Sequence, residues 1–358
     1  MTAHSPAART DVHPLLGGAA EVWLLVDSSR PGGIESHILS LATGLTATGL
    51  RVLVVFLADH GPHPLRSQLD RAAQRHSTLS GSFGLFAALR TGRPGLLHTH
   101  GYKAGILGRA AARVLGIPVV STYHSGEPGS GRLKLYAALD RITAPLANCI
   151  AVSEAIRQTL PCRADLIDNF VELPPAVVDP LRRPCTVAFV GRLSEEKGPD
   201  TFCQLAEALP GIAFELYGDG HMRPSLEARY AGRVRFHGMV AGMREHWSRV
   251  GLLCMPSRWE GLPMAALEAM SHGVPVAAFA VGALPRVIEH GLNGWLAPAG
   301  DLPQLIAAVQ TWKSQDDAAA AAVSAAARAT VERRFSPEVG IARVLEVYAS
   351  ALDRTARR

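Results

Sequence analysis

Two carboxylates, eight residues apart, mark the segment of this chain that is richest in chemistry. Glu260 and Glu268 lie in the run PSRWEGLPMAALEAMSHGVPVAA (256–278), where a Gly-Leu-Pro turn follows the first of them. The turn predicts a helix whose first residue is Pro263. Two helical positions with this spacing would be offset by roughly 80°. Because Glu260 precedes the predicted helix, however, both carboxylates can face one pocket.

The apolar surroundings of Glu268 favour a functional role for the pair. MAALEAM is almost entirely apolar, and burying a carboxylate without a partner is costly. The first N–H groups of a helix have no partners within it, so they would point at an anion between the two carboxylates. Such a pocket suits a sugar nucleotide, because carboxylates accept hydrogen bonds from sugar hydroxyls. The alternative is that Glu268 is an ordinary residue of a helix surface.

Two cations lie in a second segment, GRLSEEKGPD (191–200), which overlaps the end of the apolar run TVAFVG. Arg192 can bind a diphosphate as a bidentate fork, and Lys197 can bind it as a point charge. The alternative is a solvated basic loop that Glu195 and Glu196 neutralise. This segment alone leaves both interpretations open.

A pair of glycines marks a third candidate segment, in the first half of the chain. Gly32 and Gly33 follow an apolar run that ends at Asp27, and they precede a helix predicted from Ile34. Glycines let the backbone approach a ligand closely, and the start of the next helix offers N–H groups to an anion. A turn without a ligand explains the pair equally well.

Short apolar runs that alternate with helical patterns must position these residues. The alternation is typical of a parallel β-sheet with helices on both faces, in which ligands bind beyond the carboxyl ends of the strands. A Pro-rich stretch, ELPPAVVDPLRRP (172–184), separates two such series. The predicted strands are 22–27, 51–58, 96–100, 118–124 and 149–153 in the first series, and 186–191, 213–218, 234–238, 252–257, 275–280 and 294–298 in the second.

The pattern predicts an α/β protein of two domains, since a domain holds roughly 100–200 residues and this chain has 358. We place the domains at 19–172 and 185–335. A flexible leader (1–18) precedes the first domain, a linker (173–184) joins the two, and a helical segment (336–358) closes the chain.

The composition excludes several classes of protein. Lys and Arg number 36 against 31 Asp and Glu, a net charge of +5 that favours anionic ligands or lipid head groups but not nucleic acid. Five widely spaced cysteines without a C-x-x-C pair indicate neither a disulfide framework nor a zinc site. No signal peptide is recognisable, and no apolar stretch reaches the roughly 18–20 residues of a membrane-spanning helix. We therefore expect a cytoplasmic protein, either soluble or peripheral on the inner face of the membrane.

A basic segment, PLRSQLDRAAQRHSTLSGSFGLFAALRTGRP (64–94), predicts amphipathic helices that could contact an anionic membrane. The alternative is a solvated helix face. The arginines of this segment that lie near Leu and Phe are Arg66, Arg71, Arg75, Arg90 and Arg93.

Taken together, the motifs resemble those of glycosyltransferase family 4, the retaining enzymes of GT-B fold. The resemblance rests on the spacing of the two glutamates in SRWEGLPMAALEAMSHGVPV and on GRLSEEKG (191–198), YGDG (217–220) and HG (237–238). GGIESHILSLATGL (32–45) and HTHGYKAG (98–105) also fit, so that it covers about 20–355. It implies two Rossmann-like, doubly wound domains that face a central cleft. The second would hold a nucleoside-diphosphate sugar and the first the acceptor, and the final helix would cross back to the first.

The resemblance also implies roles for individual residues. Arg192 and Lys197 would bind the donor diphosphate and stabilise the leaving group. Glu260 would contact the transferred sugar, and Glu268 the ribose. The further donor-binding candidates are Gly32, Gly33, Gly218, Gly220, Gly261, Leu262, Pro263 and Met264.

Two histidines at the ends of predicted strands complete the set of candidates. By resemblance, His124 in STYHSGE would face the donor sugar, although a histidine at a strand end can also be structural. His100 in HTHG is an acceptor-side or structural candidate. One departure concerns GALPRVI (282–288), in which Arg286 stands where the family has a carboxylate.

The expected activity is therefore a hexosyltransferase that uses a UDP- or GDP-sugar and a glycan or lipid-linked acceptor in cell-envelope polysaccharide, lipopolysaccharide or glycolipid assembly. The chain contains no D-x-D motif, so we expect neither a metal ion nor another cofactor. Two alternatives remain open. One is a sugar-nucleotide epimerase of the same fold, and the other is a non-catalytic, nucleotide-sugar-binding subunit of a polysaccharide assembly complex.

Overall fold

The computed structural model describes residues 21–28, 33–124, 132–174, 185–240 and 242–357. The described residues up to Asn169 and from Pro337 onward form one compact unit, and Phe170–Ser336 forms a second. The unit boundary thus precedes the predicted one, which lies after Glu172. The physical reason is that Val171 is buried in the core of the second unit, where its N–H donates to the carbonyl oxygen of Phe335 at 3.0 Å. The predicted leader, Gly32 and most of the linker lie outside the described residues.

The first unit is built on a parallel sheet of seven described strands in the order β3-β2-β1-β4-β5-β6-β7. Its central strands are buried along nearly their whole length, as expected for apolar strands covered on both faces. The strands are β1 (Glu21–Val26), β2 (Arg51–Phe56), β3 (His76–Thr78), β4 (Leu96–His100), β5 (Val119–Tyr123), β6 (Asn148–Ala151) and β7 (Ala164–Leu166). The helices are α1 (Gly33–Ala47), α2 (Pro64–Arg71), α3 (Ser82–Gly92), α4 (Tyr102–Leu115), α5 (Arg132–Thr143) and α6 (Glu154–Thr159).

Strand order brings two distant histidines to one edge of this sheet. β4 lies between β1 and β5, and His100 pairs in register with Val26 on one side and Thr122 on the other. His124 follows the end of β5, and α1 begins at Gly33 after β1. These predicted ligand-side residues therefore share the carboxyl edge of the first sheet.

The second unit contains a parallel sheet of six described strands in the order β10-β9-β8-β11-β12-β13. The central strand β8 lies between β9 and β11, so the loops that leave these three strands emerge side by side. The strands are β8 (Thr186–Val190), β9 (Ala213–Tyr217), β10 (Val234–Gly238), β11 (Leu252–Met255), β12 (Val276–Phe279) and β13 (Gly294–Ala297). The helices are α7 (Pro199–Ala208), α8 (Arg223–Tyr230), α9 (Met264–Ser271), α10 (Leu284–Val287), α11 (Leu302–Ser314) and α12 (Asp317–Arg334).

The last helix, α13 (Pro337–Ala356), packs on the first unit against α1 and strands β5 and β6. Its Tyr348 is buried, and the phenol oxygen lies 2.8 Å from Nδ1 of His98 on β4. The final helix therefore completes a core whose other elements precede Phe170 in the sequence.

The basic segment 64–94 forms helices as predicted, namely α2 and α3, and the short edge strand β3 lies between them. Arg75 lies just before β3 and pairs with Glu21 of β1, while Arg66 of α2 pairs with Asp59 at 2.9 Å. These two arginines hold loops of the first unit together and do not line one helix face.

Candidate active site

Two loops at the carboxyl edge of the second sheet are joined by backbone hydrogen bonds. The N–H groups of Arg258 and Trp259 donate to the carbonyl oxygen of Glu196 at 2.8 and 3.2 Å. Ser257 Oγ lies 3.4 Å from the carbonyl oxygen of Lys197. Since β8 and β11 are neighbours, the segments that the sequence singles out, 191–200 and 256–263, meet directly.

The centre of this arrangement is an ion pair between two predicted catalytic residues. Lys197 Nζ lies 2.8 Å from each of Glu260 Oε1 and Oε2. Ser257 Oγ donates a further hydrogen bond to Glu260 Oε1 at 2.8 Å. The Glu260 side chain is only 3% exposed, against 27% for Lys197. A buried carboxylate is thus supplied with a cation and a hydroxyl, which offset the cost of its burial.

A second ion pair fixes the loop that leads to Glu260. Arg258 contacts the carboxylate of Asp200 with two nitrogens, at 3.0 and 2.6 Å, and donates to the carbonyl oxygen of Glu195 at 2.6 Å. Burial opposes the ionisation of Asp200, but the hydrogen bonds and charge of Arg258 hold its pKa below the ordinary value. These positioning residues belong to none of the motifs described above, although a cation two places before Glu260 is a signal for them.

Arg192 is the most exposed of the predicted catalytic cations. Its Nη1 lies 3.5 Å from Glu196 Oε1, which also accepts a hydrogen bond from Ser194 Oγ at 2.6 Å. Glu195 contacts His221 at 3.0 Å instead. The alternative of a basic loop that its own glutamates neutralise therefore holds in part for Arg192. It does not hold for Lys197, which pairs with Glu260. An exposed ion pair of this kind contributes about 0–1 kcal/mol, so an anionic ligand can replace Glu196 at little cost.

The helix that follows Glu260 begins one residue later than predicted. Pro263 has φ −75° and ψ 124°, so it is the extended residue that precedes α9, and Met264 is the first helical residue. Proline has no side-chain acceptor, and no side chain caps this helix in the described structure. Leu262 and Met264 are buried, and Glu268 is half-buried in the second turn. An uncapped helix start is the arrangement that binds anions.

The predicted glycines of the second unit divide into two kinds. A Cβ at Gly218 would lie 1.9 Å from the carbonyl oxygen of Gly191, and one at Gly220 would lie 2.3 Å from that of Leu193. The packing of the protein's own loops therefore requires both glycines. A Cβ at Gly261 would meet nothing within 4 Å, so space adjoins this backbone next to Glu260.

The segment GALPRVI (282–288), in which Arg286 replaces a carboxylate of the family pattern, follows β12. A Cβ on Gly282 would lie 2.0 Å from the carbonyl oxygen of Glu260, so this loop packs directly behind that residue. Arg286 is exposed on α10, and its carbonyl oxygen accepts a hydrogen bond from Arg334 at 2.8 Å. Gly282 is a further positioning residue for the glutamate loop.

In the first unit, the two predicted histidines belong to a cluster of four. His100 Nδ1 lies 3.1 Å from His124 Nε2, and the ring of His37 on α1 is 4.7 Å from that of His124. His98 Nε2 contacts Thr122 Oγ1 at 2.7 Å, in addition to its contact with Tyr348. Burial lowers the pKa of all four histidines, so each is neutral at pH 7. His37 has no local sequence signal, because it lies within a continuous helical pattern.

Comparisons with known families cover most of both halves of the chain. Residues 31–175 match the family described as Glycosyltransferase Family 4, and residues 184–314 match Glycosyl transferases group 1. In the described residues, no helix is long and apolar enough to cross a bilayer.

Two curated relatives are similar over three quarters or more of the chain. A 2-deoxystreptamine N-acetyl-D-glucosaminyltransferase of Streptomyces fradiae is 30% identical over 344 residues, covering 76% of this chain and 80% of the relative. A phosphatidyl-myo-inositol mannosyltransferase of Mycobacterium leprae is 29% identical over 357 residues, covering 89% and 93%.

The fold has close counterparts among solved structures. Anabaena HepE in complex with UDP-glucose has a TM-score of 0.77 at 22% identity, covering 92% of this chain and 99% of that one. That likeness bears on the fold alone and agrees with the two Rossmann-like parallel sheets. Together with the matched families and the relatives, it shows that this chain belongs to glycosyltransferase family 4 and is a glycosyltransferase of GT-B fold.

Proposed function

We propose that this glycosyltransferase is a retaining hexosyltransferase with a UDP- or GDP-sugar as donor and a glycan or lipid-linked molecule as acceptor. Its place would be the assembly of cell-envelope polysaccharide, lipopolysaccharide or glycolipid. The observation that carries the proposal is the contact of Lys197 with both carboxylate oxygens of Glu260, next to the uncapped start of α9. A cation, a carboxylate and helical N–H groups are the three kinds of group that a diphosphate sugar requires.

The chemistry required of the protein is mainly electrostatic. In a front-face displacement, the acceptor hydroxyl attacks on the side of the leaving group, the bond from sugar to diphosphate breaks, and the departing phosphate takes the proton. Arg192, Lys197 and the N–H groups of α9 oppose the charge that develops on the diphosphate. One such preorganised donor contributes roughly 3–4 kcal/mol to transition-state stabilisation. These groups supply positive charge without a metal ion or other cofactor.

The remaining candidates bind hydroxyl groups in this proposal. Glu260 accepts hydrogen bonds from the transferred sugar while Lys197 and Ser257 hold its carboxylate in place. Glu268 accepts from the ribose. His124 is neutral at pH 7, so it can exchange hydrogen bonds with a sugar hydroxyl without placing a cation there.

A panel of UDP-, GDP- and ADP-sugars tests the donor assignment. We expect one donor to raise the Tm of the protein and to release its nucleotide slowly in the absence of acceptor. The HepE structure with UDP-glucose makes UDP-sugars the first to try. A protein that no sugar nucleotide stabilises, or that binds one without release even with lipid extracts present, would contradict the proposal.

The names of the relatives indicate which acceptors to test first. Both relatives reported above carry a cyclitol in their names, 2-deoxystreptamine in one and phosphatidyl-myo-inositol in the other. Free inositol, an aminocyclitol, phosphatidylinositol and undecaprenyl-linked sugars therefore form the test set. Transfer with an α-linked donor is expected to give an α-linked product by NMR. A β-linked product would contradict retention.

Helices α3 and α5 carry an exposed apolar surface that supports peripheral membrane contact. Both pack against α4, and Phe83 is 99% exposed, Leu135 63% and Ile142 70%. Exposed cations accompany them, namely Arg90 on α3 and Lys134 on α5. Apolar side chains beside cations are the chemistry that binds an anionic lipid surface.

Co-sedimentation with vesicles of anionic lipid tests this contact. We expect Phe83→Asp combined with Ile142→Asp to abolish binding. Leu292→Asp, at a residue of the second unit that is 53% exposed, is the matched control and should bind normally. Equal binding of both variants would show that this surface does not contact lipid.

A further inference from the structure

Three histidines from three separate elements converge at the carboxyl edge of the first sheet. They are His37 of α1, His100 at the end of β4 and His124 after β5. One ring nitrogen of each lies within 4.8 Å of one ring nitrogen of each of the others. The proposed transfer uses His124 alone among them with a defined role, so the convergence calls for a separate explanation.

The placement of the cluster suits a metal ion. His37 and His100 are buried and His124 is half-buried, so the first unit encloses the three rings.

The geometry of the closest pair also fits. His100 Nδ1 and His124 Nε2 are 3.1 Å apart, and two nitrogens on one tetrahedral zinc ion, at about 2.0–2.1 Å from it, are separated by about 3.3 Å. His37 completes the triangle from α1, with its ring 5.7 Å from that of His100. A metal ion at the pair would draw the His37 ring closer, in place of its hydrogen bond with Asn169.

The other ring nitrogen of His100 does not take part in the pair with His124. Within the described residues, His100 Nε2 is buried and has no hydrogen-bond partner. By contrast, both nitrogens of the neighbouring His98 are bonded, to Tyr348 and Thr122. His98 therefore forms a wall of the cluster, and its ring lies 4.3 Å from that of His100.

We propose that His37, His100 and His124 together bind one Zn²⁺ ion and leave its fourth position open. Three neutral imidazoles are a ligand set that zinc accepts, and Co²⁺ can replace zinc there as a coloured probe. Bound zinc occupies a nitrogen of His124 and so inhibits sugar transfer. This second statement rests on the proposed function, whereas the binding of zinc does not.

Binding is measured on the full-length protein after treatment with a chelator. Zn²⁺ is titrated in competition with a chromophoric chelator, and Co²⁺ is titrated in parallel by visible absorption. We expect one zinc ion per chain with a Kd in the micromolar range or below. His37→Gln should weaken binding at least ~10-fold. His76→Gln, in which the lost histidine pairs with Asp70 outside the cluster, is the matched control and should bind as the native protein does.

Two results would overturn the site: no micromolar binding by the native protein, or native affinity in His37→Gln. If that variant does not fold, ¹⁵N NMR of the native imidazoles decides, because zinc must shift the resonances of all three rings.

For inhibition, we expect zinc to abolish transfer by the native protein reversibly. Inhibition of His37→Gln should require at least a ~10-fold higher zinc concentration. Equal sensitivity of the two proteins would refute inhibition through the cluster. Zinc binding in a protein without transferase activity would instead count against the proposed function.

Discussion

Lys197 Nζ contacts both carboxylate oxygens of Glu260 at 2.8 Å, although 63 positions separate the two residues in sequence. Each is thus the nearest charged partner of the other in the ligand-free protein. In the proposed function, Lys197 would contact both the carboxylate of Glu260 and the phosphates of a bound diphosphate sugar. The ion pair would then couple binding of the sugar to binding of the phosphates.

Removal of either member should abolish turnover. We expect Lys197→Ala and Glu260→Gln each to lower kcat at least ~100-fold, since one preorganised charge-stabilising donor contributes roughly 3–4 kcal/mol. Lys313→Ala, on α11, is the control and should retain activity.

Because Glu260 is buried, Lys197→Ala should also lower the free energy of unfolding. The double variant Lys197→Ala/Glu260→Gln should lose less stability than the sum of these two single variants. Additive losses would show that the pair is not coupled.

Glycine substitutions should separate ligand space from loop packing. Gly261→Ala should leave the Tm unchanged but weaken donor binding, because its Cβ enters the space beside Glu260. Gly232→Ala, which also meets nothing within 4 Å, is the matched control and should bind normally. Gly218→Ala should instead cost ~3 kcal/mol of stability, since φ is +136° and the new Cβ would overlap the oxygen of Gly191. Normal donor binding by Gly261→Ala would argue against a ligand at that turn.

The pair of Asp200 and Arg258 should make a small contribution to stability that disappears in acid. The folded pKa of Asp200 lies below its ordinary value of 3.8. The unfolded chain thus binds the proton more readily, and the contribution is present above about pH 4 and is lost as the pH falls through the folded pKa. Both side chains are partly exposed, so we expect less than about 1 kcal/mol. Urea unfolding of Asp200→Asn should differ from that of the native protein at pH 7, and the difference should shrink as the pH falls below about 4. Asp353→Asn, on α13, serves as the control.

Two cysteines of the first unit should differ in reactivity. Cys149 and Cys162 lie with their Sγ atoms 3.5 Å apart. Donation from the Cys149 thiol lowers the pKa of Cys162 and raises that of Cys149, which is also buried. At pH 7, iodoacetamide should therefore alkylate Cys162 well before Cys149, as peptide mass spectrometry can measure. Cys149→Ala should slow the labelling of Cys162, and Cys149→Ser, which keeps a donor, should not. Equal rates in the two variants would exclude this hydrogen bond as the cause.

The sheets could be predicted from sequence because their strands are apolar runs. All eleven predicted strands are present with ends shifted by a few residues at most. The two additional strands, β3 and β7, are three residues long and lie at the sheet edges. β3 has the sequence His-Ser-Thr and buries no residue fully, so it carries no apolar signal.

The contacts of the site could be predicted only in part. Residue types identified Lys197 and Glu260 as candidates, but their pairing depends on the adjacency of β8 and β11, which local patterns do not encode. The contact between Arg258 and Asp200 depends on the same adjacency of strands, so local patterns do not reveal it either. The histidine cluster depends on the order β1-β4-β5 and on the packing of α1, so no single motif could reveal it.

The return of α13 to the first unit has a consequence for biosynthesis. Tyr348 fills the core beside His98 and enters the ribosomal exit tunnel only after the residues of the second unit. The continuous second unit, Phe170–Ser336, has by then been synthesised in full. Nascent chains usually fold their N-terminal domain first, but here the first unit is complete only when helix α13, Pro337–Ala356, has also been synthesised. Until then its α1 face is uncovered, and chaperones that bind nascent chains have an apolar target there.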